Sequence, residues 1–120
     1  MHDAKLSFGD NKETWYRERC FIRELVNTPK IAEFSLAETR VEPGVRTELH
    51  KLDVNEWYVI RSGMGKMQVN DEPWFDVSPG DVVRIPADVS QRIENTGMAD
   101  LMFECICLPR FTLAGYVSLE

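Results

Sequence analysis

GVRTELHKLDVNEWYVIRSG, residues Gly44 to Gly63, is the stretch whose reading decides the fold. Pro43-Gly44 opens it as a turn and Ser62-Gly63 closes it as another. Its interior divides into a strand from Arg46 to Leu52, a turn at Asp53-Val54-Asn55 and a second strand from Glu56 to Arg61. Asp and Asn suit that turn because both tolerate tight backbone angles. The second strand, Glu-Trp-Tyr-Val-Ile, carries the aromatic and β-branched residues that fit a pleated, half-buried surface. Alternation gathers Glu48, His50 and Leu52 on one face of the first strand. It gathers Glu56, Tyr58 and Ile60 on one face of the second. An antiparallel hairpin across the turn brings His50 and Glu56 towards a common point. An imidazole and a carboxylate on an otherwise apolar face need partners, because unpaired polar groups are costly there.

Outward from this stretch the chain reads as further strands. Gly65 to Val69 is one, followed by a strong turn at Asn70-Asp71-Glu72-Pro73. Trp74 to Val77 is short and apolar, and Ser78-Pro79-Gly80-Asp81 turns again. Val82 to Ile85 is a strand stopped by Pro86. Ser90 to Glu94 follows, ended by Asn95-Thr96-Gly97, and Leu101 to Leu108 closes the series before Pro109. The tail RFTLAGYVSLE holds enough apolar residues to pack against the rest. Upstream, Ile31 to Val41 is a strand, with Phe34 and Leu36 on one face and Ala37, Thr39 and Val41 on the other. Asn27-Thr28-Pro29-Lys30 is a loop. Trp15 to Val26 fits a strand, with Tyr16, Cys20 and Ile22 on one side, and also a short helix; the strands that follow favour the strand. Met1 to Thr14 is polar, with a turn signal at Gly9-Asp10-Asn11, and is expected to be partly frayed. Residues 15–120 are expected to form one domain. Short strands punctuated by Gly, Pro, Asn and Asp imply an all-β sandwich or barrel.

The 120 residues suffice for one domain with a real core. Hydrophobic content of 43% and charged content of 28% are those of an ordinary soluble globular chain. A net charge of -6 argues against a nucleic-acid partner or an anionic membrane surface. No apolar run approaches the roughly 20 residues that span a bilayer. The first residues, MHDAKLSFGD, lack an apolar signal core, so a cytoplasmic protein is expected. Cys20, Cys105 and Cys107 show no zinc-type pairing and read as small buried hydrophobes. Trp57, Tyr58, Trp74 and Phe103 read as core aromatics, and parity alone turns Tyr58 towards the face of Glu56. Arg40, Arg46, Arg84 and Arg92 read as solvated, with one of them at a pocket mouth able to receive a carboxylate or phosphate.

Two spacings then point to a family. Gly44, five residues, His50, one, Leu52, three, Glu56, six, Gly63 resembles the first cupin motif. Gly80, five residues, Pro86, one, Asp88, two, Gln91, three, Asn95 resembles the second. Sixteen residues, Met64 to Pro79, separate them. The ending CICLPRF is similar to that of some small single-domain cupins. The resemblance implies a double-stranded β-helix, or jelly-roll barrel, with a pocket at one end. It also implies a homodimer, with N-terminal strands such as Trp15 to Leu25 packing across its interface.

The family supplies two histidines and a glutamate from the first motif and a histidine from the second. His50 and Glu56 match. Leu52 stands where the second histidine would be, Gln91 where the third would be, and Asp88 where the second motif has glycine. The resemblance therefore implies a metal set of His50, Glu56 and Gln91. It would hold a divalent transition ion such as Zn, Mn, Ni or Fe, with open positions for water or substrate. Glu48, Cys105 and Cys107 are further donors if they face inward. The competing reading is metal-free, with His50, Glu56 and Gln91 satisfying one another's hydrogen bonds. Three functions follow. One is an isomerase- or lyase-type enzyme acting on a small polar organic molecule, with Glu56, His50 and Tyr58 as catalytic candidates. Another is a small-ligand-binding module. The last is a dimerisation domain with a relict pocket.

Overall fold

A computed structural model describes residues 4–7, 11–16 and 18–120. The turn expected at Gly9-Asp10-Asn11, and the fraying expected of the first residues, fall largely outside these. The chain is all-β. Its strands are β1 (Thr14–Tyr16), β2 (Cys20–Val26), β3 (Ser35–Val41), β4 (His50–Leu52), β5 (Asn55–Ser62), β6 (Gly65–Val69), β7 (Phe75–Val77), β8 (Val82–Ile85), β9 (Gln91–Asn95), β10 (Leu101–Leu108) and β11 (Tyr116–Ser118). A 3-10 turn at Leu113–Gly115 precedes the last. One sheet has the order β1-β2-β3-β10-β5-β8 and the other β11-β4-β9-β6-β7, with antiparallel pairing throughout. The two face each other as a jelly roll. Among the described residues no helix is long and apolar enough to cross a membrane.

Alternation fills the space between the sheets. Val41, Ile60, Met67, Ile85, Ile93, Leu101 and Phe103 are almost fully buried and form one cluster. Asn95 is buried among them and fully bonded. Its amide donates to the carbonyls of Val41 and Ala99 at 2.9 and 2.8 Å, and its oxygen accepts from the Gly97 N–H at 2.9 Å. Two of the positions with left-handed backbone bear directly on the motifs. Gly63 has φ +86, and a Cβ there would lie 2.5 Å from the Asp100 carbonyl, so only glycine fits. Asp88, at the motif glycine position, has φ +64, and its N–H donates to the Leu52 carbonyl at 2.7 Å. A short polar side chain is among the few that accept that conformation.

Most strands lie within a residue of where their sequence places them, and four differences have physical causes. The Trp15 to Val26 segment is strand, as favoured, but broken into β1 and β2 with Arg19 at φ +70 between them. β3 begins at Ser35 rather than Ile31, because the Ile31 N–H closes a turn onto the Thr28 carbonyl. β4 covers only the end of the strand expected from Arg46. Within it, the Glu48 N–H goes to the Glu18 carbonyl and the Leu49 N–H to the Glu120 carboxylate, so neither joins the ladder. Finally, the hairpin expected between β4 and β5 is absent. β4 pairs with β9 and β11, whereas β5 pairs with β10 and β8. The turn at Asp53 to Asn55 is a crossing between sheets, with Val54 buried beneath it.

Candidate functional site

That crossing places His50 and Glu56 on opposite walls of one cavity of about 140 Å³. Leu52 and Tyr58 line it beside them, as alternation requires. β10 contributes Phe103, Cys105 and Cys107, so the parity of that strand turns both thiols inward. Exposed Tyr16 and Leu113 form part of the rim.

Glu56 sits at the centre of a buried hydrogen-bonded chain. The Gln91 amide donates to Glu56 Oε1 at 2.7 Å, and the Tyr58 hydroxyl donates to Gln91 Oε1, also at 2.7 Å. This orientation of the amide is the one the chemistry demands. An ionised carboxylate only accepts, and the phenol has a proton to give. The other oxygen, Oε2, has the Cys107 thiol at 3.7 Å. Burial pushes the Glu56 carboxyl up to about 7, against the hydrogen bonds from Gln91 and the two thiols. Tyr58 and the thiols of Cys20, Cys105 and Cys107 are also raised by burial, which keeps them protonated. Tyr58 stacks on Phe103, with centroids 4.4 Å apart.

His50 has separate partners. Its Nδ1 is 2.8 Å from the Glu48 carbonyl, which makes Nδ1 the protonated nitrogen and leaves Nε2 as acceptor. Tyr116 stacks on its ring at 4.8 Å and donates its hydroxyl to the Glu48 carboxylate. Burial lowers the pKa of His50, partly opposed by the Glu48 carbonyl and charge. Among the candidates, the fold thus joins Glu56, Gln91 and Tyr58 directly. It places His50 opposite Gln91 on neighbouring strands.

The donor set does not fit a transition ion. Both ends of the Gln91 amide are occupied within the chain from Tyr58 to Glu56, and Leu52 supplies no donor. Glu48 is held by Tyr116. Among the described residues, no three His, Cys, Asp or Glu side chains converge as metal ligands do. The arginines singled out in the sequence also lie away from the cavity lining. Arg40 pairs with Glu13 and Asp100, and Arg46 with Glu94. Arg46, Lys66 and Arg92 stand 4.7, 5.2 and 5.1 Å from the Trp74 ring centroid, and Arg84 lies over Trp57. Tyr116 and Glu24 are among the contributors that were not legible in the sequence. Tyr116 covers His50 only because β11 pairs with β4, and Glu24 reaches the lining from β2. Neither carries a local signal beyond the strand alternation itself.

A family model for the cupin domain matches residues 37–107, and the chain belongs to that family. An uncharacterised protein of Methanocaldococcus jannaschii is 36% identical over 100% of this chain and 98% of its own length. The oxalate decarboxylase of Bacillus subtilis superposes with a TM-score of 0.83 at 21% identity over 99% of this chain. That of Lactobacillus farciminis, in complex with formate, superposes with a TM-score of 0.78 at 24% identity over 92%. This chain spans 33% and 34% of the length of those two enzymes. The plu4264 protein of Photorhabdus luminescens matches with a TM-score of 0.72 at 22% identity, over 90% of this chain and 88% of that one. These likenesses establish the cupin fold.

Proposed function

We propose that this cupin works without a metal, and that Glu56 takes and returns a proton on a small, largely apolar molecule held in the barrel cavity. One observation carries the reading. A wholly buried carboxyl lines the cavity with one oxygen fixed by Gln91, and its pKa is raised to about 7. A carboxyl so poised exchanges protons near neutrality in either direction, which suits general acid–base work. Neutral Tyr58 and Gln91 hold it in one orientation, and Nε2 of His50 offers a second acceptor on the facing wall. The oxalate decarboxylases act on a small dicarboxylic acid. Among the described residues lining this cavity there is no lysine or arginine to receive such an anion, so oxalate is a poor match.

Two measurements test the reading together. In difference infrared spectra of wild type against Glu56→Gln, a protonated carboxyl band should vanish in the variant and titrate in the wild type near 7. After incubation with Mn, Fe, Ni and Zn salts and removal of excess, elemental analysis should find no stoichiometric metal. One equivalent of metal, lost in His50→Ala and Glu56→Ala, would return the site to the metal reading.

A further inference from the structure

We propose that the cavity selects a small organic cation, a protonated amine on an apolar body, over neutral or anionic molecules of the same shape. This rests on the reading of Glu56 as the group at the reacting end of the cavity and adds the charge class of its ligand. Glu24 and Glu56 line the cavity, and among the described residues no lysine or arginine does. Among the described lining residues His50 is the group able to gain positive charge, and its burial disfavours that. Arg110 reaches the site only at one remove. It donates to the Asn27 oxygen, while the Asn27 amide donates to Glu24. Aromatic rings share the remaining walls with aliphatic, hydroxyl and thiol side chains. Tyr16, Tyr58, Phe103, Phe111 and Tyr116 all line the cavity.

Carboxylates ringed by aromatic faces are what an ammonium group needs. The rings attract it through their quadrupoles, and the carboxylates supply the counter-charge in a site largely removed from water. An anion entering the same space meets like charges and no cationic partner among the described lining residues. The volume sets the size of the body. About 140 Å³ is close to the ~150 Å³ apolar cavity known to take benzene. A single ring, or an aliphatic group of that bulk, therefore fits, with its charged end directed to a carboxylate.

Calorimetric titration of the wild-type protein at pH 8 with benzylamine, benzyl alcohol and benzoate tests this directly, because the three share a ring and differ in charge. Benzylamine should bind at least tenfold more tightly than benzyl alcohol, and benzoate should give no binding heat. Glu24→Gln, a change at the partly exposed end of the cavity, should weaken benzylamine several-fold and leave benzyl alcohol unchanged, with a wild-type circular dichroism spectrum. Benzyl alcohol binding as tightly as benzylamine overturns the inference. So does any saturable binding of benzoate, silence from all three, or an unchanged benzylamine affinity in Glu24→Gln. If the charge preference fails while Glu56 still titrates near 7, the ligand class alone falls. If Glu56 titrates like an ordinary carboxyl, the proton-transfer reading falls and the three titrations still decide the charge preference.

Discussion

His50 on β4 and Glu56 on β5 face one cavity from opposite sheets, and burial drives both towards neutrality from opposite sides of the pH scale. The pKa of Glu56 rises from 4.5 to about 7. The pKa of His50 falls below 6.5. Between pH 4.5 and 7 the folded chain therefore holds a proton on Glu56 that the unfolded chain has released. The stability Glu56 contributes is complete below 4.5 and is lost as pH rises through 7. For His50 the unfolded chain is the more protonated one. The stability it contributes is complete above 6.5 and is lost as pH falls through its folded value. The two walls thus work against each other across mildly acidic pH. The difference comes from what each group is given. Glu56 has neutral donors and, among the described residues, no cationic partner, whereas His50 has a carbonyl that fixes its tautomer and an aromatic cover.

Gln91 joins the walls, since it belongs to β9 beside His50 and reaches across to Glu56 and Tyr58. Removing it should have the largest effect. Gln91→Ala leaves a buried carboxylate and a buried phenol without their partner and opens a void at a residue that is 1% exposed. Urea unfolding at pH 8 should show a loss of about 4 kcal/mol. The loss should shrink at pH 5, where Glu56 carries its own proton. A loss independent of pH would mean that the amide serves packing alone and does not support the charged carboxylate.

The next effect in size separates the walls. Glu56→Gln keeps the shape and abolishes the titration. The cost of ionising a group whose pKa moves from 4.5 to about 7 is on the order of 3 kcal/mol. At pH 8 the variant should therefore be more stable than the wild type by up to about that amount. Below pH 4.5 the two should coincide, and the loss of stability that Glu56 contributes between pH 4.5 and 7 should disappear. Unfolding midpoints measured across this range decide it. A variant less stable than wild type at pH 8 would show that Glu56 is no burden to the folded chain when ionised.

Much of this site is legible in the sequence, and what is not legible has a common cause. The inward faces of β4 and β5 follow from alternation. The spacing of Gly44, His50, Glu56 and Gly63 resembles the first cupin motif, and that resemblance implies the barrel; Tyr58 turns inward by parity alone. The contrast lies in pairing. Asp53-Val54-Asn55 looks like a hairpin turn because its residues suit one, yet what decides its path is remote. The Leu52 carbonyl is taken by the Asp88 N–H, and the Asp53 N–H by the Gly115 carbonyl. No local pattern announces partners more than thirty residues away. The same limit hides Tyr116 over His50, and it hides which hydrogen bonds Gln91 makes. A glutamine at a ligand position reads equally as a metal donor or as a bridge until its neighbours are known. Gln91 bridges Glu56 to Tyr58, and His50 turns instead to the carbonyl of Glu48, two residues before it.

The smallest expected effect isolates the His50 wall. His50→Asn retains a donor where Nδ1 points at the Glu48 carbonyl and removes the ring stacked on Tyr116 and the titratable nitrogen. At pH 8 the loss should be about 1 kcal/mol, the usual worth of such a ring pair. The informative readout is the acid limb. In the wild type, the opposing titration of Glu56 masks it, so the change belongs in a Glu56→Gln background. There, stability should fall with decreasing pH below 6.5 when His50 is present, because the unfolded chain gains a proton that the buried ring resists. With Asn at position 50 that fall should flatten, leaving only the exposed carboxylates at lower pH. If the limb persists unchanged, the ring protonates freely in the folded state. The wall opposite Glu56 would then be open to positive charge, and the asymmetry between the two sheets would vanish.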